Sequence, residues 1–247
     1  MRCIAVVYGP CSPPASQRPL APRGKSQRLR HAPGPLHCFR EGGSVHRSLH
    51  DHATNWGYYR DDNHWPKHDD TICLLCLSVA RHSSLLLNIG PRPDGTFCPD
   101  EVALLEHFGR WMAVHGEAIC GTQASPYNGD FAWGTVTQKN NVLYLQVLDA
   151  PAGPLVVPGV RGKIQAVTLL STGKALPVES TDQEIRIRYA APERKESGAS
   201  SIEVVRVEFE QTPHIDASAQ ARYQWKVPNR GPEGINMPYQ KWIVDRN

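Results

Sequence analysis

Two groups of residues in this 247-residue chain stand close enough in sequence to do chemistry. The first is histidine with cysteine. His46, His50, His52, His64 and His68 lead into Cys73-x-x-Cys76, and imidazole with thiolate is a zinc ligand set. The spacings match no standard zinc finger, and a second Cys-x-x-Cys is absent. Cys73 and Cys76 also fit the apolar face of a helix, and we adopt that reading, with no metal. The second group is the acidic pairs Asp61-Asp62, Asp69-Asp70 and Asp100-Glu101. General acid–base work needs carboxyl groups that converge on a substrate from different sides. Sequence neighbours on a loop or a helix start do not converge; helix capping and solvation account for them.

The segment "NWGYYRDDNHW", Asn55 to Trp65, is aromatic, polar and carries a glycine, which suits a functional loop. The elements that would position it follow directly. "DDTICLLCLSVARH" reads as a helix started by Asp69 or Asp70, with Ile72, Leu75, Cys76 and Val79 on one face. "LLLNIG", Leu85 to Gly90, is a short continuous apolar run, as in a strand buried on both faces of a parallel sheet. Pro91, Pro93 and Gly95 end it in a turn, and Asp94 belongs to that turn. Pro99 to His115 is a second helix. Pro99 suits its first position, Val102, Leu105, Phe108 and Met112 form its core face, and Gly116 stops it. Helix, buried strand, turn, helix is the grammar of an α/β repeat.

From about Gly134 the pattern changes to period-2 strands. "GTVTQKNNVLYLQVLD" is a hairpin about Lys139-Asn140-Asn141, and "KIQAVTLLSTGKALPVE", "EIRIRYA" and "SIEVVRVEFE" continue the alternation. Five or more such strands imply a β-sandwich, expected to be the most independently stable part of the chain. The fold class read here is an α/β remnant followed by an all-β sandwich. Its parts are a basic, Pro-rich segment 1–50, an α/β portion 51–122, the sandwich 123–211 and an unassigned tail 212–247.

Composition sets limits. Hydrophobic content of 40% and charged content of 21% are ordinary for a globular protein. No run of about 18 apolar residues is present, so no membrane-spanning helix is expected. Residues 1–50 carry a net +7 and the remainder −4. The basic residues are scattered among Pro, Ser and His without aromatic interleaving, so no nucleic-acid partner is expected. With seven Pro and five Gly, residues 1–50 are read as disordered. The seven Cys are odd in number and irregularly spaced, which describes no disulfide framework.

The ordered set "NWGYYRDDNHW", "LLLNIGPRPDG" and "GRWMAVHGEAICGT", followed by a sandwich, resembles the C-terminal part of the α-L-fucosidases of glycoside hydrolase family 29, from Asp51 to about Glu210. The resemblance implies a (β/α)₈-like barrel, with "LLLNIG" as its last strand, followed by a β-sandwich. It implies retaining hydrolysis of terminal α-L-fucosides in glycoconjugates, with no metal or organic cofactor and with a fucosylated glycan as partner. It implies a lysosomal, periplasmic or extracellular setting for the parent family. Trp56 is the substrate-binding residue it carries over, an aromatic ring against the methyl side of fucose. Asn88 would end a barrel strand on the face where active sites form, although the reading preferred for it is a structural hydrogen bond to loop backbone.

The departures bear on activity. Retention needs two carboxyl groups about 5–5.5 Å apart. In the family both lie upstream of the Trp-Gly-Tyr motif. Here only Glu41 and Asp51 precede Trp56, and neither sits in a family motif, so no catalytic residue is assigned. Cys120 stands where the family has Tyr, and "ARHSSLLLN" replaces a Gly-Gly-Asn lead-in. With so little of a barrel, Leu85–Ile89 is expected to present an unpaired edge through which the chain associates with itself.

Overall fold

The computed structural model describes residues 5–8, 44–48, 68–82, 84–88, 91–127, 129–191 and 199–216. Its described residues include a β-α-β unit. Strand β2 (Ser44–Ser48) and strand β3 (Ser84–Asn88) run parallel, Val45 opposite Leu85 and Ser48 opposite Asn88. Helix α1 (His68–Ala80) lies between them in the chain, as a parallel pair requires, since its crossover must return the chain to the same end. A further strand, β1 (Ala5–Tyr8), pairs antiparallel with the other edge of β3, so the sheet order is β1-β3-β2.

Two expectations are corrected here. The segment 1–50 is not wholly without order, because β1 and β2 lie inside it; its other residues lie outside the described ones. "SVHRS" has neither alternation nor an apolar run, so only the ladder with β3 makes it a strand. The edge of β3 expected to be open is occupied on both sides, which removes the argument for self-association through it.

Helix α2 (Pro99–His115) follows β3 and ends in a single 3₁₀ turn, Gly116–Ala118. Pro99 holds the first position, and the buried Glu101 turns back to accept the Cys98 backbone N–H at 3.2 Å. Gly116 stays right-handed and its N–H bonds the Met112 carbonyl, so the chain tightens there rather than stopping. The core face differs from the expected one. Leu104, Phe108, Trp111 and His115 are buried, whereas Val102 is 40% exposed. Periodicity allows either stripe; the shape of the surface α2 meets selects one.

Helix α1 is likewise not amphipathic. Every residue from Thr71 to Ala80 is buried, because the helix is wrapped by α2, β3 and the strand β4 that follows. Cys73 and Cys76 sit in that core at 5% and 0% exposure. Burial pushes the Cys76 thiol well above its usual range, the condition of an inert structural cysteine.

The β portion has two principal sheets. The first has the order β4-β5-β11-β8, from β4 (Gly134–Lys139), β5 (Val142–Val147), β8 (Ile164–Leu169) and β11 (Glu203–Phe209). The second is β6-β10-β9, from β6 (Leu155–Pro158), β9 (Val178–Ser180) and β10 (Glu184–Ile187). A short pair, β7 (Val160–Arg161) with β12 (His214–Ile215), extends the strands beyond residue 211. The β4–β5 hairpin turns at Asn140-Asn141 as read, with Asn140 left-handed at φ 53°.

The first sheet is covered on both faces, which the alternation did not reveal. Leu143, Leu145, Val205 and Val207 point toward the second sheet. Val142, Tyr144 and Val204 point the other way, into a core shared with α1 and α2. Thr135, Thr137 and Gln146, polar positions of the alternating strands, are each 0% exposed. They lie under the helical layer, where Gln146 donates to the Thr137 hydroxyl at 2.8 Å and both side chains donate to the Ala118 carbonyl. The order is helices, sheet, sheet, with two continuous cores. The first sheet of the sandwich therefore shares one of its cores with the helices.

Candidate functional site

The parallel register of β2 and β3 brings Ser48 and Asn88 side by side at one end of the sheet. In parallel barrels this is the face on which sites are built. Trp56 lies outside the described residues, as do Glu41, Asp51, the pair Asp61-Asp62 and His64. In the chain, residues 49–67 come after β2 and a second connecting stretch, with the loop 91–98, comes after β3. Asn88 closes β3 at the edge of this end, placed there by the backbone register.

The second loop is a stiff turn. The Asp94 carboxylate accepts the Thr96 N–H at 2.9 Å and the Thr96 hydroxyl at 2.7 Å, and these bonds hold its carboxyl below the usual range. Arg92 and Gly95 close the turn through backbone bonds. Asp94 is thus a turn residue, as read.

The remaining polar clusters tie the helices to the sandwich. Asp69, in the first turn of α1, does not cap the helix. Its carboxylate accepts the Ser201 N–H at 2.8 Å, the Ser201 hydroxyl at 2.5 Å and His107 Nε2 of α2 at 2.9 Å. Serine, aspartate and histidine meet here in an order that does not make a nucleophile. A triad places the imidazole between hydroxyl and carboxylate; here the carboxylate stands between the other two. Burial pushes the Asp69 carboxyl up, but the Ser201 bonds outweigh it and leave the group below its ordinary value, a poor base at neutral pH. At the other end of α1, Arg81 pairs with the buried Asp130, and the Ala80 carbonyl accepts the Ser125 N–H at 2.7 Å. On α2, the Trp111 indole donates to the Ile202 carbonyl at 2.8 Å. Sequence reasoning missed these ties. Asp69 and Ser201 are 132 residues apart, and no local pattern marks either as a partner.

His115 and Glu203 form a third cluster, Nε2 to Oε2 at 4.0 Å, both nearly buried. The separation is beyond a direct hydrogen bond. Burial lowers the His115 imidazole to about 4 and raises the Glu203 carboxyl. Both groups thus favour their uncharged forms. The depressed imidazole binds its proton more weakly in the folded chain, so its stabilising effect is full above about pH 6.5 and is lost as pH falls toward 4. The loss is on the order of 3 kcal/mol. Glu203 acts oppositely: its contribution is full below about pH 4.5 and fades as pH rises through its raised folded value. Replacing His115→Gln should flatten the fall in stability between pH 6.5 and 4, read from urea melts at several pH values. An unchanged acid slope would place the titrating group elsewhere.

A groove of about 610 Å³ opens on the side of the sandwich between β8 and residues 175–180, over Ile164, Ala166, Leu176 and Val178. No aromatic side chain lines it, so it offers no platform for stacking a sugar ring. Among the described residues, no three His, Cys, Asp or Glu side chains gather as a metal site.

A parallel β-α-β unit thus shares a core with a β-sandwich. Comparison with known proteins shows what this arrangement is similar to. Residues 45–117 match the family model of the alpha-L-fucosidases. The matched stretch begins inside β2, ahead of the Asp51 boundary read from the motifs. An alpha-L-fucosidase of Branchiostoma floridae is 31% identical over 129 residues, covering 51% of this chain and 29% of that protein. The human plasma alpha-L-fucosidase is 30% identical over 138 residues, covering 52% and 30%. The chain thus spans less than a third of the curated relatives it matches. Among solved structures, the alpha-L-fucosidase of Vibrio sp. strain EJY3 superposes with a TM-score of 0.60 at 27% identity, over 70% of this chain and 30% of that one.

Proposed function

We propose that this chain is the C-terminal part of an α-L-fucosidase, holding the loop-bearing end of the barrel's last repeat together with the sandwich, and that it binds a terminal α-L-fucosyl group without hydrolysing it. The observation that carries the reading is the common end of β2 and β3 at Ser48 and Asn88; in the sequence Trp56 follows β2 and the Asp94 turn follows β3. A flat indole there suits the deoxy, methyl-bearing side of fucose. Hydrolysis with retention needs two carboxyl groups facing each other across the glycosidic bond, one to attack and one to protonate the leaving oxygen. Three of the described carboxylates of the α/β portion are otherwise engaged: Asp69 clamps the helices, Glu101 caps α2 and Asp94 holds its turn. A sugar-binding role for the sandwich instead has little support, because its groove lacks an aromatic wall.

The test is direct. Incubated with an aryl α-L-fucoside, the chain should release no aryl alcohol above background. L-Fucose should bind weakly, with a Kd near ~1 mM, equivalent to about −4 kcal/mol, and Trp56→Ala should abolish that binding. Turnover suppressed by a fucose-configured inhibitor would overturn the inactive reading. Unaltered binding by the Trp56 variant would overturn the site.

A further inference from the structure

The two principal sheets end in β4 and β6 on one flank of the sandwich and in β8 and β9 on the other. The first flank is closed by groups of the chain itself. Gln123 and Gln138 exchange backbone bonds beside β4, and the Tyr127 hydroxyl and Trp133 indole donate to the Pro158 and Val156 carbonyls of β6. The second flank is closed over only part of its length, where the Leu169 N–H bonds the Lys174 carbonyl and the Leu176 N–H bonds the Val167 carbonyl. Toward the start of β8, among the described residues, no strand pairs with the outer edge of Ile164–Ala166. The groove of about 610 Å³ opens there. Gly162, Ala166 and Ala175 leave it roomy, and Ile164, Leu176 and Val178 pack on the sandwich core while staying partly exposed. Half-exposed apolar side chains beside an open strand edge form a surface that accepts an added extended segment.

The same chain carries such a segment close by. The Asp216 N–H bonds the Gly159 carbonyl, and Pro213 lies against Gly162, the first residue of the groove. Beyond Asp216 the first alternating stretch is Tyr223-Gln-Trp-Lys-Val227, followed by Pro228. Such alternation puts Tyr223, Trp225 and Val227 on one face of a strand. Residues 217–222 reach roughly 20 Å when extended, against about 10 Å from Gly159 to Gly162.

We infer that Tyr223–Val227 docks in this groove as an added strand beside β8, its apolar face over Ile164, Ala166, Leu176 and Val178. The glycine and alanine floor gives room for the tyrosine and tryptophan rings that the groove's own walls lack. Gln224 and Lys226 stay in water on the other face. The tether holds the segment at an effective concentration of roughly millimolar, so a weak contact suffices to keep it there.

Hydrogen exchange of the full chain, read by mass spectrometry, tests this. Amides 223–227 should exchange at least about tenfold more slowly than in a free peptide of residues 219–230, and equally so after dilution of the protein. Trp225→Ser and, on the groove side, Ala166→Arg should each return 223–227 to the peptide rate. Trp225→Ser should also speed exchange at 163–166 and leave β5 unchanged. Peptide-rate exchange in the parent chain would overturn the inference. Protection that survives Ala166→Arg would place the segment elsewhere, and protection that falls on dilution would assign the groove to a second copy; either result overturns it. Should Ala166→Arg also loosen β5, the effect of Trp225→Ser on 163–166 decides alone, and no change there sinks the idea.

Discussion

Expressed without its helices, the stretch 123–216 is expected to lose its cooperative unfolding transition, whereas 68–216 should keep one. The reason lies in the first sheet. β5 is buried at all six positions, because one face meets the second sheet and the other meets α1 and α2. Removing the helices bares Val142, Tyr144, Ile202 and Val204, which are 7%, 4%, 2% and 0% exposed in the whole chain. At about 1.5–3 kcal/mol for each buried apolar side chain, the loss is on the order of 6–12 kcal/mol. A domain's net stability is about 5–15 kcal/mol, so the remainder is at or below the threshold of folding. The bonds from Thr137 and Gln146 to the Ala118 carbonyl disappear as well, leaving polar side chains among apolar ones. Thermal melts of the two pieces decide the matter. A sharp transition for 123–216 at the midpoint of the longer piece would show that the outer face needs no cover.

The second large effect is expected at one glycine. Gly134 opens β4 with φ +153°, held in a tight turn by reciprocal backbone bonds with Phe131. A Cβ there would lie 1.9 Å from the Gln146 carbonyl oxygen and 3.0 Å from Leu148 N. Both are backbone atoms in or beside β5, so no side chain can swing away to make room. Gly134→Ala must separate β4 from β5 or unwind the turn. Either outcome should cost more than about 4 kcal/mol, the range in which single substitutions become exceptional. Gly173 is the control. It is also left-handed, at φ +68°, but nothing lies within 4 Å of its would-be Cβ. Gly173→Ala therefore carries only the conformational penalty, about 1–2 kcal/mol. Denaturant midpoints for the two variants should differ clearly. Equal shifts would mean that the sheet yields at Gly134 more easily than this packing allows.

The ties around α1 show how the two halves act on each other. Asp69 links α1, α2 and the lead-in to β11, while Arg81 with Asp130 and Ala80 with Ser125 secure the other end. The sandwich thus grips α1 at both of its ends.

What the sequence determined by itself was local. The extents of α1, β3 and α2 follow from apolar spacing, from Pro99 at a helix start and from the Pro-Gly turn after β3. The β4–β5 hairpin follows from its Asn-Asn turn. The motifs around Trp56, "LLLNIG" and "GEAICGT" pointed to the family because they are short strings of fixed chemistry. The tertiary structure decided whatever depends on distant neighbours. β2 is a strand only because β3 lies alongside it. α2 turned its Leu104–Trp111 face inward rather than Val102, since several stripes were apolar enough and only the surface beneath could choose. Alternation along a strand reports that two faces differ, not what covers each of them. At Thr137 and Gln146 a helical layer supplies the cover and the Ala118 carbonyl accepts their hydrogen bonds, so these polar residues are buried.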